Sequence, residues 1–270
     1  MKNFELFPLI VLAAVIAIGL IVNIFPNQPT PPDEPDNPSS GEQENDTGNN
    51  NDGDTGNGDE IHWGVDSATY TDEDFLGCVV ENYGEPEVWG RYLGEKEGVS
   101  AGIDADEANL LHDNDIRILV IYNHVEDARG HDNGVNHANQ AIALAGELEI
   151  PDGVAIFVDI EPDYPVDTAF IEGWYTTLAE SNYEPGVYGV FDEESELMNA
   201  YNEMNQDAQE NTIVWTAYPQ GEITTKENAP EYNPQGPENA RVYGWQYALH
   251  GEACNIDTNL FQDSMLDFLW

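Results

Sequence analysis

Between Ile61 and Trp270 the chain alternates short apolar runs with segments of helical period, and this alternation constrains its fold more than any other feature. Ile61–Asp66, Val88–Leu93, Ile116–Tyr122 (IRILVIY), Val154–Glu161 (VAIFVDIE), Gly186–Phe191, Thr212–Ala217 and Val242–Tyr247 read as strands. Asp72–Asn82, the Ala-rich Asn136–Leu148 and Thr168–Ser181 read as helices. Strands that are apolar along both faces need cover on both faces, which predicts a parallel sheet crossed by helices. A doubly wound sheet and a β/α barrel share this pattern. The turn after the first strand, GVDSATY, fits no nucleotide-binding fingerprint. Polar or acidic residues instead recur at strand C-terminal ends: Asp66, Asn123, Asp159 with Glu161, and Gln246. In a barrel those ends share one mouth, so the expected fold is α/β, a single TIM-like (β/α) barrel over residues 61–270.

The barrel is preceded by two segments of different character. Phe7–Phe25 is 19 residues without a charge. At about 1.5 Å per residue it nearly spans a hydrocarbon core of about 30 Å. Residues 1–25 are therefore expected to form a transmembrane signal-anchor, with Lys2 on the cytoplasmic side and the C-terminal domain outside. A cleaved signal peptide is the alternative, with a secreted domain as the outcome. Residues 26–60 are rich in Pro, Asn, Asp and Gly, with ten carboxylates and almost no apolar residue. They are expected to be a disordered acidic linker.

The chain carries 53 Asp and Glu against 7 Lys and Arg, a net charge of -46. No basic stripe exists to hold phosphates, which argues against nucleic-acid partners. Such self-repulsion is tolerable where salt screens it, so a halophilic adaptation is expected, with plain solubility as the blander reading. Cys78 and Cys254 are the only cysteines. In an oxidising compartment they are expected to form one disulfide joining the two ends of a closed barrel, rather than remain two free thiols.

Asp159 and Glu161 carry the clearest chemical signal. Two residues apart on a strand, they point to the same face. Charges at the end of so apolar a run are costly without a purpose, although D-x-E pairs arise by chance in an acidic chain. Paired carboxyls in a partly desolvated mouth raise one another's pKa, so one stays protonated and can act as an acid. Glu161, nearer the rim, is the expected acid/base, and Asp159 its partner. Asp66 and Asp257 are expected to flank the same mouth as substrate-binding groups, or to serve as turn and cap residues. Tyr92, Tyr122, Trp215, Tyr218, Trp245 and Tyr247 suit stacking on sugar rings, with core packing as the alternative for each. Arg91 is expected to pair with a mouth carboxylate, or to be structural. His124, His131 and His137 lack zinc-site spacing, DADEAN at Asp104 lacks the calcium-loop pattern, and no G-x-S-x-G elbow occurs. No metal or cofactor is expected.

The ordered set WGVDSATY, WGRYLG, VIYN, FVDIEPDYPVD, GWYTTLAESNYEPGVYGVF, TIVWTAYP, GWQY and CNIDTNLF resembles the glycoside-hydrolase-like domain of bacterial surface and secreted proteins. That domain is similar to family 25 lysozymes, which cleave peptidoglycan between N-acetylmuramic acid and N-acetylglucosamine. The resemblance covers Ile61–Trp270. It implies Glu161 as general acid/base, Asp159 as its partner, and Asp66 and Asp257 as the flanking aspartates. The extended D-x-x-D-x-D-x-E of chitinase-like barrels does not fit, because Val154 and Phe157 occupy its upstream positions. The expected protein is a membrane-tethered monomer that hydrolyses a cell-wall or other N-acetylated glycan. A non-catalytic glycan-binding module on the same barrel is the rival.

Overall fold

The structure, a computed structural model, describes residues 60–270. The expected transmembrane segment and nearly all of the expected acidic linker lie outside the described residues. Among the described residues, no helix is long and apolar enough to cross a membrane.

Eight strands close into a barrel in sequence order. They are β1 (Ile61–Asp66), β2 (Val88–Tyr92), β3 (Arg117–Tyr122), β4 (Ala155–Ile160), β5 (Glu184–Gly189), β6 (Ile213–Ala217), β7 (Arg241–Ala248) and β8 (Asp257–Gln262). The first seven run parallel. β8 is antiparallel to both β7 and β1, so the sheet is mixed. This corrects one expectation, that of a wholly parallel sheet, and adds an eighth strand between the last expected one and the first. The sequence of β8, DTNLFQ, is two-thirds polar: its inward positions Asp257 and Asn259 face the mouth, and it lacks the apolar run that marks the other strands.

Among the described residues, six α-helices pack outside: α1 (Glu73–Asn82), α2 (Ala105–Asp113), α3 (His131–Glu147), α4 (Thr168–Ala179), α5 (Glu196–Asn202) and α6 (Gln206–Asn211). Side-chain oxygens of Asp72, Asp104, Asp167, Ser195 and Asn205 cap the N-termini of α1, α2, α4, α5 and α6. Each such cap stabilises by about 1 kcal/mol. The helix α3 begins five residues before the expected Asn136. Its polar first turn is held by packing against α4: a Cβ on Gly134 would fall 2.1 Å from the Phe170 carbonyl, and one on Gly173 would fall 2.3 Å from that of His131. These two glycines let the helix backbones touch. Asp167 adds a second tie, accepting the Gly130 N–H at 2.9 Å while capping α4.

Strand alternation divides the apolar residues into two layers. Residues such as Val65, Ile118, Val120, Ile156, Val158 and Trp174 fill the space between strands and helices. Val88, Leu119, Ile121, Phe157, Ile213, Trp215 and Phe261 fill the barrel. The C-terminal turn Asp263–Phe268 closes the floor, where Met265 and Leu269 join the inner layer. Trp270 fastens it by two backbone hydrogen bonds to Ile118, at 2.8 and 3.0 Å. Cys78 on α1 and Cys254 in the β7–β8 loop form a disulfide with a Cα separation of 6.2 Å.

Candidate active site

The mouth is built where the parallel strands end and β8 begins. Asp66, the last residue of β1, lies directly opposite Asp257, the first of β8, in the antiparallel ladder. Room for Asp66 comes from Gly90 on β2, where a Cβ would stand 2.7 Å from that of Asp66. The Asn259 amide donates to Asp66 Oδ2 at 2.7 Å, and Gln246 Nε2 donates to the same oxygen at 3.0 Å. Gln246 Nε2 also reaches Asp257 Oδ2 at 3.3 Å, while its Oε1 accepts from the Tyr188 hydroxyl at 2.7 Å. The His250 N–H donates to the other Asp257 oxygen at 2.7 Å. Gln246 thus joins strands β1, β5, β7 and β8 through one side chain.

Across the mouth, Asp159 projects inward from β4 and is 6 % exposed, whereas Glu161, just past the strand end, reaches solvent. Asp159 Oδ1 is buried without a hydrogen-bond partner within the protein, as is Asn123 Oδ1 at the end of β3. Burial, then Glu161 and Asp66, push the Asp159 carboxyl well above the usual range. Burial and Asp163 raise Glu161, against Lys96. Burial and Asp257 lift Asp66 to about 7, despite the amide hydrogen bonds, and burial lifts Asp257 to about 6. A mouth with four carboxyls raised together holds protons near neutrality, as acid catalysis requires.

Asp66, Asp159, Glu161 and Asp257 are therefore brought together, and Tyr92 lies among them: after burial, all four raise its hydroxyl pKa. The other aromatic candidates fall elsewhere. Tyr122 faces α3, its hydroxyl 2.9 Å from His137 Nδ1. Trp245 and Tyr247 belong to the outer layer, where Trp245 Nε1 donates to the Tyr218 carbonyl and the Tyr247 hydroxyl accepts from Trp63. Tyr218 packs against that same layer. Trp215 points into the barrel, but it is 1 % exposed and bonded to Asn259, too buried to stack on a sugar. Arg91 does not reach a mouth carboxylate. Fully buried beneath α2, it donates to both oxygens of Glu107, at 2.5 and 3.1 Å, and to the carbonyls of Ser67 and Ala101.

Four residues of the mouth escape the sequence reading. Tyr188 and Asn259 are inward by strand alternation, a signal legible only once the strand register is known. Lys96 donates to the Asn123 carbonyl at 3.0 Å and lies 5.8 Å over the Tyr164 ring. Its charge opposes the upward shifts of Asp159 and Glu161. Tyr164 itself lines a cleft of about 340 Å³ beside Glu161, together with Val166, Asp192, Glu194 and Leu197.

Known proteins agree with this architecture. The model of the Rv2525c-like, glycoside hydrolase-like domain matches residues 86–260. The crystal structure of an uncharacterized B. stearothermophilus protein is 36% identical, with a TM-score of 0.75, covering 77% of this chain and 100% of that one. The Mycobacterium tuberculosis Tat-secreted protein Rv2525c, in complex with L-tartrate, shares the fold at 14% identity and a TM-score of 0.52, over 75% of this chain and 96% of that one. So does the Clostridium perfringens spore cortex lytic enzyme SleM, at 15% identity and a TM-score of 0.52, over 77% and 69% of the two chains. No curated protein matches the chain. The residues matched by the family model span β2 to β8, including Asp159, Glu161 and Asp257, and the chain belongs to the Rv2525c-like, glycoside hydrolase-like domain family.

Proposed function

We propose that the protein is an extracytoplasmic glycoside hydrolase, tethered to the membrane by its N-terminal segment, that cleaves peptidoglycan or a related N-acetylated glycan. The observation that carries this reading is the gathering of Asp66, Asp159, Glu161 and Asp257 at one mouth with their pKa values raised. Glu161, solvent-accessible and with its carboxyl pKa raised by burial and Asp163, donates its proton to the leaving glycosidic oxygen. Asp159, buried behind it, orients the N-acetyl group of the sugar or stabilises positive charge at the reacting carbon. The product then keeps the anomeric configuration of the substrate. Asp66 and Asp257 hold sugar hydroxyls, Gln246 positions both carboxyls from behind, and Tyr92 and Tyr164 offer ring faces.

An extracytoplasmic site is supported by the Cys78–Cys254 disulfide, which persists in oxidising compartments. It is supported further by the Tat-secreted and spore-cortex-lytic descriptions of two proteins that share the fold. The test is release of reducing ends from purified peptidoglycan in about 1–2 M salt, which screens the negative charge. Release by the wild type, with none from a Glu161→Gln variant that still binds the glycan, supports the hydrolase. No release by the folded wild type moves the assignment to a glycan-binding module.

A further inference from the structure

At the floor of the barrel, opposite the mouth, the β1–β8 pair gathers side chains that the carboxylate chemistry does not use. Glu60 and His62 are two residues apart along an extended segment and so share a side. The Asp263 N–H donates to the Glu60 carbonyl at 2.8 Å, fixing Asp263 beside them. One donor atom from each of Glu60, His62 and Asp263 lies within 4.8 Å of the other two. The His62 ring meets a carboxylate at both nitrogens: Nδ1 is 2.6 Å from Glu87 Oε2, and Nε2 is 3.2 Å from Asp263 Oδ1. Lys226 Nζ, 2.7 Å from the other Glu87 oxygen, holds that carboxylate in place.

A neutral imidazole donates through one nitrogen and offers a lone pair at the other. With Nδ1–H given to Glu87, the Nε2 lone pair would face a carboxylate oxygen. A divalent cation between them would take the Nε2 lone pair and the carboxylate oxygen together. We infer that Glu60, His62 and Asp263 bind a divalent cation of the zinc class, with Glu87 orienting the imidazole from behind. Zinc bonds of about 2.0–2.1 Å place neighbouring donors of a tetrahedron about 3.3 Å apart. The His62–Asp263 separation of 3.2 Å already meets that spacing. Glu60 is exposed and can swing in as the third ligand, leaving the fourth position to water. One nitrogen with two carboxylates favours zinc-class ions over calcium or magnesium, which take oxygen ligands. A carboxylate on the far nitrogen of a ligating histidine is the usual orienting partner.

The test is Zn²⁺ titration of the full chain by calorimetry in excess Mg²⁺, which occupies sites made of carboxylates alone. One equivalent of zinc is expected on the wild type. Affinity is expected to fall about tenfold or more in His62→Gln and in Asp263→Asn, and about 10–100-fold in Glu87→Gln. Asp263 is on the surface, so Asp263→Asn keeps the test valid even if His62→Gln does not fold. No zinc bound over magnesium, or unchanged affinity in Asp263→Asn, overturns the site.

Discussion

Asp66 and Asp257 face one another across the β1–β8 ladder and are bridged by a single amide, that of Gln246. Two carboxyls so placed cannot both ionise cheaply, and the burial of Asp66 adds to the cost. In the folded protein Asp66 titrates at about 7, above the ordinary aspartate value. The folded state therefore binds the extra proton between about pH 4 and 7, and the associated stability is lost as pH rises through that window. Asp66→Asn is expected to change the melting temperature little at pH 4 and to raise it relative to wild type at pH 8. Thermal melts at the two pH values check this, and an equal shift at both would sink it.

The raised pKa of Glu161 sets the acid side of the chemistry. A proton donor works only below its own pKa, so the rate of glycan cleavage should decline as pH rises above the shifted value. Lys96 opposes the shift. Lys96→Met should consequently move the alkaline limb of the pH–rate profile upward, and an unmoved limb would remove Lys96 from the mouth's electrostatics. Glu161→Gln should lower the rate by about 10²–10⁴-fold, the usual range for lost general acid catalysis.

The Arg91–Glu107 pair is fully buried and lies outside the mouth. Arg91→Met alone leaves a buried carboxylate uncompensated, with an expected cost of about 3–5 kcal/mol in urea unfolding. Replacing both partners, as Arg91→Met with Glu107→Leu, should recover most of that loss. Sugar binding by the folded double variant should be unchanged, whereas weaker binding would return Arg91 to the substrate site.

The disulfide joins positions 176 residues apart. In the chain-entropy account a loop of this size contributes on the order of 5 kcal/mol. Cys78→Ser with Cys254→Ser should lower the urea midpoint with little change in the native circular dichroism. An unchanged midpoint would mean that the bridge adds nothing to the non-covalent closure of β1 on β8.

Salt provides a separate check on the charge reading. With a net charge of -46, raising NaCl from about 0.1 to 1 M shortens the Debye length from about 10 to 3 Å. The melting temperature should rise over that range, and a flat response would favour solubility as the reason for the acidic surface.

Much of the barrel was legible because seven strands are apolar on two faces and stand out as continuous runs. β8 was hidden for the opposite reason: two of its three inward residues, Asp257 and Asn259, line a polar mouth. α2, α5 and α6 are short, and their polar sequences gave no clear period. At the site, the carboxylates were legible because charge at the end of an apolar strand is costly and local. Sorting the aromatics needed register. Trp245, Tyr247 and Tyr122 stand near strand ends just as Tyr92 does, but strand parity turns them outward. Lys96 was invisible because a loop, not a strand, delivers it.

The floor of the barrel has one further consequence. Glu60 enters β1 there, and Trp270 is bonded to Ile118 at the same end. A surface or tag joined directly at residue 60 or residue 270 therefore attaches at the end of the barrel opposite the mouth. Immobilised through either terminus, the domain keeps its mouth free for long, insoluble polymers that could not be threaded past a point of attachment.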